Sequence, residues 1–548
     1  MDTQRLILFI AFSFSILLLW DGWQKEHQPK PQPEVVTSQV KPASDQLPST
    51  KQNLSALPAT QQVVSAGSLT SGQRINVHTN LVNAQIDTMG GDLRRLDFTK
   101  HSETHDKSKN FVLFDDKPTD LYVAQSGLLN AGLPSHKSLF KSEATDYKML
   151  PGKDKLDVRL TWEDNGVTVT KIYTFHNDSY LIDVSYEINN TSATAIKPDA
   201  YFQMLRNGRP PADDPKFIQT YTGAAIYTEA GKFHKISFSD ITKSKEELPG
   251  KKQDGWIAML QHYFLSAWLP AGNVQREFYT KEVGPDLFSA GVILPVGEIE
   301  PGQTKSVKVE LYAGPQEQDN LKKIAPGLNL SVDYGMLTII AAPLFWVLSS
   351  IYKLVNNWGV AIILLTVLIK LAFYPLSAKS YRSMAQMRVL GPKLAKLKEQ
   401  FGDDRQRLHQ AMMDLYKTEK INPLGGCLPV VVQIPVFISL YWVLLATVEM
   451  RQAPFMLWIH DLSIPDPYYI LPIIMGITMI IQTRLNPTPP DPIQAKVMMF
   501  MPIAFSIFFF FFPAGLVLYW VVNNVLSIAQ QWQITRAIES MKAGHVKR

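Results

Sequence analysis

From residue 335 to residue 528 the chain is dominated by apolar stretches, at 335–354, 360–376, 428–447, 469–481, 497–512 and 515–528. Within hydrocarbon, no water is present to hydrogen-bond a bare backbone, so stretches of this kind fold as helices that satisfy their own N–H and C=O groups. The last two stretches are joined only by Pro513 and Ala514, which predicts a tight helical hairpin. Residues 21–330 are polar by contrast, so the overall 46% hydrophobic content averages two unlike regions. With 548 residues, at least two folded units are expected.

The polar region is itself divided. An apolar run from Leu6 to Trp20 follows Arg5 and ends in bulky residues, where a signal peptidase needs small ones. Residues 1–23 are therefore read as an uncleaved signal anchor. Residues 24–72 are rich in Pro, Gln, Ser, Thr and Lys and lack periodicity, which makes them a flexible linker. Residues 73–325 alternate with period two: Val158, Leu160 and Trp162, then Val167 and Val169 after the turn at 163–166. The alternation returns at Ile182, Val184, Tyr186 and Ile188, and again at Val307, Val309 and Leu311. Such patterning, punctuated by Asn, Gly and Pro, predicts a large antiparallel sandwich.

Charge sets the topology. Between 377 and 422 lie ten Lys or Arg residues, whereas the loop at 448–468 has only Arg451. The tail, 536–548, adds Arg536, Lys542, Lys547 and Arg548. Short basic loops stay in the cytoplasm, so the 377–422 segment and the tail are expected inside. With the anchor running outward, one crossing separates the β domain from the 377–422 segment. The better crossing is 360–376. Residues 326–357, with Pro343, Ser349, Ser350 and Lys353, are then expected to form an amphipathic helix in the outer interface. Residues 358–535 make a five-span core.

Within 377–422, Met387, Leu390, Leu394, Leu397 and Phe401 form an a/d seam, continued by Leu408, Met412 and Leu415. This predicts an antiparallel coiled-coil hairpin. Gly402 is expected to end the first helix in a left-handed cap, and Asp403 and Asp404 to cap the second rather than to act as catalytic carboxylates.

Lys370 lies inside the 360–376 stretch. A lone ammonium in hydrocarbon costs about 3 kcal/mol on insertion scales, so it either snorkels to headgroups or lines a wet cavity. Thr366, one turn away, and Gln433, Gln482, Asn523, Asn524 and Ser527 in other stretches favour the cavity. Such a cytoplasm-open groove would attract an acidic or polar segment of another chain.

The run Asn422, Pro423, Leu424, Gly425, Gly426, Cys427, Leu428 and Pro429, followed by Gln433 and Pro435, resembles the YidC membrane-protein insertases. So do RQAPFMLWIHDL at 451–462, DPYYILP at 466–472 and FPAGLVLYW at 512–520. The resemblance is dense over 335–535 and agrees with the anchor and outer domain in layout. It implies a polytopic α-helical membrane protein of the Gram-negative type, with a five-span core, an N-terminal anchor and an all-β periplasmic supersandwich like that of galactose mutarotases. The implied function is insertion and assisted folding of nascent inner-membrane proteins, alone or with the Sec translocon. The translating ribosome, the signal-recognition pathway and the lipid bilayer are further implied partners. Location in the bacterial inner membrane with both termini cytoplasmic also follows from it. The family's groove charge is usually arginine; Lys370 keeps the charge but not the bidentate fork. By the same match Thr366, Tyr519 and Trp520 face the substrate path, with Gln433 and Asn523 beside it.

Other classes find less support. Walker A, His-Glu-x-x-His and Gly-x-Ser-x-Gly motifs are missing from the sequence, and the His101/His105 pair sits in a polar loop, so neither an intramembrane enzyme nor a metal or cofactor is expected. A secondary transporter would show internal repeats, and none is seen. The net charge of +5 is no DNA-binding signature.

Overall fold

The computed structural model describes residues 69–104, 106–130, 132–211, 214, 220–402, 404–419, 428–485 and 492–546. The anchor, most of the linker, His105, Asp403 and the 422–427 motif lie outside the described residues. The described chain falls into two compact units divided between Val332 and Asp333.

The first unit is two nine-stranded sheets. One runs, in spatial order, Glu277–Gly284, Leu287–Pro295, Asp199–Asn207, Tyr122–Leu129, Asp92–Ser102, Val82–Asp87, Arg74–His78 and Asp146–Lys148, with Asn110–Phe114 paired to Asp92–Ser102. The other runs Lys232–Ile236, Gly223–Thr228, Trp256–Leu260, Phe264–Pro270, Thr304–Pro315, Leu181–Asn190, Val167–His176, Lys155–Asp164 and Lys141–Ser142. All but one of the named pairings are antiparallel; Arg74–His78 lies parallel to Asp146–Lys148. The sequence alternation is the reason for the register. Val184 sits between Tyr173 and Val309, and Ile182 opposite Leu311, so one face of each strand enters the common core. The turn expected at 163–166 narrows to Asn165 and Gly166, both with positive φ (47° and 78°) and flanked by the pair Asp164 and Val167. Only a primed turn of this kind matches the strand twist over two residues.

One part of this core is charged. Lys171 and Asp92 are fully buried and Arg94 nearly so. Lys171 Nζ donates to Gly90 O (3.1 Å) and Ser126 O (3.4 Å) and lies over the Tyr173 and Tyr186 rings. Asp92 accepts from Gln125 Nε2 at 3.0 Å and faces Arg94 Nη2 at 3.2 Å.

Two short helices, α1 (Phe238–Thr242) and α2 (Gln318–Ile324), belong to this unit. The second unit is helical: α3 (Thr338–Val355), α4 (Trp358–Ala372), α5 (Tyr374–Val389), α6 (Gly391–Phe401), α7 (Arg405–Thr418), α8 (Leu428–Ala446), α9 (Ile470–Leu485), α10 (Pro492–Phe508) and α11 (Ala514–Val546). Among the described residues, α3 alone is by itself long and apolar enough to cross a membrane. It buries Ala341, Phe345 and Leu348 and exposes Ile339, Trp346 and Leu354, so its length admits a crossing where the charge count expects an interfacial helix. The stretch at 360–376 is not one straight rod. The chain bends by 67° between α4 and α5. Pro375 supplies no N–H and its ring crowds the carbonyl one turn back, so the helix cannot run through it.

The basic hairpin is α6 against α7. Met387, Leu390, Leu394 and Met412 cluster with Met413 and Tyr416. Two local expectations fail. The seam does not lie on one helix, because the chain breaks at Leu390 before Gly391 and Pro392. Gly402 is right-handed (φ −40°, ψ −42°), so it ends α6 without the left-handed cap. Asp404 does cap α7, accepting from Arg407 N at 3.0 Å.

Candidate functional site

Five helices bring polar residues to one cavity of about 310 Å³. Along α11, Tyr519, Asn523 and Ser527 recur every four residues, with Trp520 and Asn524 beside them, so all lie on one face. Gln433 and Phe437 share a face of α8 by the same spacing, and Gln482 and Thr483 come from the end of α9. Lys370 enters from the last turn of α4. The bend at Phe373 swings α5 so that Ser377, Ser380, Tyr381 and Met384 form the remaining wall.

Lys370 is only 7% exposed. Its ammonium donates to Ser527 Oγ at 2.7 Å, and Ser527 in turn donates to Asn523 O at 2.7 Å and meets the Tyr381 hydroxyl. Gln433 Nε2 donates to Asn523 Oδ1 at 2.6 Å, tying α8 to α11. Asn524 Nδ2 donates to Thr478 Oγ1 at 3.2 Å, tying α9 to α11. Tyr519 is buried with its hydroxyl toward Gln433, and Trp520 packs on Phe437.

Of the residues singled out in the sequence, Lys370, Gln433, Asn523, Tyr519 and Trp520 line this cavity. Thr366 is not among the lining residues: it is buried and its hydroxyl donates to Ile362 O within its own helix (2.7 Å). Ser377, Ser380, Tyr381 and Thr483 were not picked out by sequence reasoning. The signal for the α5 residues is their spacing of three and four, which places them on one helical face; it falls in a segment whose charges mark it as cytoplasmic.

The opposite ends of these helices are closed by residues 447–469. Asn357 accepts from Val360 N at 3.0 Å, capping α4, and donates to Phe455 O at 2.9 Å. Gly359 lets the Phe455 ring pack on the helix; a Cβ there would lie 2.0 Å from the ring. Asp466 accepts from Leu471 N (2.7 Å), Tyr468 N (3.0 Å) and Trp458 Nε1 (3.0 Å) at the start of α9. Ala514 N and Gly515 N donate to Ile464 O and Leu462 O, at 2.7 and 2.9 Å. One loop thus satisfies free N–H groups at the starts of α9 and α11 and holds the side chain that caps α4.

Two family models match the chain in sequence: the YidC periplasmic domain over residues 74–347 and the 60Kd inner membrane protein over residues 350–542. The chain is 60% identical to the membrane protein insertase YidC of Methylobacillus flagellatus, with all of both chains covered. The chain belongs to the YidC family of membrane protein insertases. It is also 56% identical to the YidC insertase of Nitrosospira multiformis, over 100% of this chain and 99% of that one. A crystal structure of an active YidC insertase covers 85% of this chain and 94% of that chain, at 19% identity and a TM-score of 0.41. YidC insertases are not enzymes, and the substrates of the family are nascent membrane proteins. The family resides in the inner membrane and carries a periplasmic domain, here the paired-sheet unit.

Proposed function

We propose that the cavity at Lys370 is the substrate groove of this insertase, lined by Lys370, Gln433, Asn523, Tyr519 and Trp520, with Thr366 supporting the wall from α4. The observation that carries this reading is a buried ammonium whose one side-chain partner among the described residues is Ser527, in a cavity lined by hydroxyls and amides from several helices. A chain segment crossing hydrocarbon must shed its water, and each polar group left without a partner costs several kcal/mol, on the order of 4–8 in a solvent that cannot hydrogen-bond. A wet, cationic groove lowers that cost for a polar or acidic segment.

In this reading the spans are α4, α8, α9, α10 and α11, the helix at 326–357 lies in the outer interface, and both termini are cytoplasmic, as the basic segments require. Residues 1–23 anchor the chain, 24–72 tether a periplasmic domain at 73–325, and 536–548 form a basic tail. A substrate meets the hairpin at 377–422 first. Its polar segment enters beside Lys370, and its apolar part leaves between α4 and α10, whose Met499, Phe500, Ile503 and Ile507 are exposed. The process is passive and uses no nucleotide. Larger substrates arrive with the Sec translocon, and nascent ones with the ribosome and signal-recognition pathway.

The test is site-specific photocrosslinking from Tyr519 and Thr366 during translation of a two-span membrane client. Adducts at Tyr519 that vanish with Lys370→Glu are expected. Clients that insert at the parent rate without ever touching Tyr519 would overturn the groove.

A further inference from the structure

The lining of the groove is unbalanced in charge. Lys370 has three N–H donors and uses one on Ser527. Among the described residues, no aspartate or glutamate lines the cavity. Trp520 Nε1 is buried and has no acceptor among the described residues. Water can satisfy N–H groups, but it cannot neutralise a net charge in a low-dielectric slab, and a buried ion left without a counter-charge is strongly unfavourable. The site is therefore short of one oxyanion.

The shape narrows the class of anion. Beside Lys370, Ser377 and Ser380, the same cavity is lined by the apolar Met384, Ile434 and Met479. Polar donors and apolar contacts within one cavity suit an amphiphile. A small inorganic anion would leave the apolar contacts unused. The missing carboxylate also discriminates between lipids: a zwitterionic headgroup would bring its own cation beside Lys370 with nothing to pair it.

We propose that the groove holds the phosphodiester headgroup of an anionic membrane lipid as the resident counter-ion of Lys370, displaced when a substrate segment enters. This rests on the reading of the cavity as a groove open to the bilayer. The headgroup accepts from the spare ammonium N–H bonds, and its first acyl carbons lie along Ile434 and Met479. The lipid keeps the groove charge-neutral between substrates, and an acidic substrate segment replaces it like for like.

The test uses the full chain purified in a neutral detergent and titrated with dioctanoyl phosphatidylglycerol, dioctanoyl phosphatidylcholine and inorganic phosphate, with occupancy read by native mass spectrometry. Phosphatidylglycerol is expected to bind about tenfold more tightly than phosphatidylcholine, since loss of one desolvated charge pairing is worth at least that factor. Lys370→Gln should abolish the preference and Lys370→Arg should retain it, with unchanged circular dichroism in both. Equal binding of the two lipids, or a preference that survives Lys370→Gln, overturns the proposal. So does displacement of the lipid by inorganic phosphate at equal concentration, which would mark a free-anion site. Retained Tyr519 crosslinks to clients alongside any of these results would leave the groove reading intact while the lipid site fails. Loss of those crosslinks would count against the groove itself.

Discussion

Lys171 and Lys370 are both buried ammonium groups, and their surroundings differ in kind. Lys171 sits between the sheets with Asp92 nearby, two carbonyl acceptors and two aromatic faces. Gly91 is packed so closely on it that a Cβ would lie 3.0 Å from its side chain. Lys370 has one hydroxyl and an open cavity. Where the fold surrounds a charge with a carboxylate, carbonyls and aromatic rings, the charge is part of the architecture. Where the fold leaves donors unused beside empty space, another molecule is needed to complete the site.

The largest expected effect tests the sealed site. Below about pH 7, where Lys171 keeps its proton, Asp92→Ala leaves Lys171 and Arg94 buried together without their carboxylate, and should destabilise the β unit by about 3–5 kcal/mol in denaturant unfolding, the usual cost of breaking a buried pair. A loss under 1 kcal/mol would mean that Lys171 is neutral in the folded state and needs no counter-charge. At the open site the effect should fall on activity instead. Lys370→Glu is expected to slow insertion of an acidic-tailed two-span client by about tenfold or more, through like-charge repulsion, while leaving the β unit's unfolding midpoint unchanged. Unslowed insertion would erase the distinction between the two lysines.

A pH series sharpens the contrast. Burial pushes the Lys171 ammonium down to about 7 from an ordinary 10.5. Between those values the unfolded chain holds a proton that the folded chain has lost, so stability rises with pH; below about 7 both states hold it and the penalty is constant. Unfolding of the β unit should therefore become harder from pH 7 to 9, and Lys171→Met should flatten that slope. A slope unchanged by the substitution would show that another group sets it. The smallest effect is expected from Ser527→Ala. Water in the cavity can replace the lost hydroxyl, so insertion should fall by only about twofold. A collapse as deep as that of Lys370→Glu would show that Ser527, rather than the solvent, holds the ammonium in place.

How much could be read in advance follows the range of the interactions involved. The β strands were legible because alternation is local: Val184 and Tyr186 announce their face without knowledge of Tyr173 or Val307. The groove was half legible. Lys370, Gln433 and Asn523 stand out because polar groups in apolar stretches are costly, and cost is visible in one dimension. Ser377, Ser380 and Tyr381 do not stand out, because they lie beyond Pro375 among basic residues, and only the 67° bend turns them back to the cavity. Thr366 shows the converse: its position suggested the groove, but its hydroxyl is satisfied by Ile362 O inside the helix.

Hydropathy, alternation and charge placement are additive along the chain, so the sequence alone determined that a β sandwich precedes a helical membrane unit and that a cation lies within an apolar stretch. Whether a buried cation is neutralised depends on groups brought together from distant positions. Lys171 meets the Gly90 carbonyl across 81 residues, and Lys370 meets Ser527 across 157. Those encounters are set by how strands and helices pack, and so only the tertiary structure decided which lysine is sealed and which is left open to a ligand.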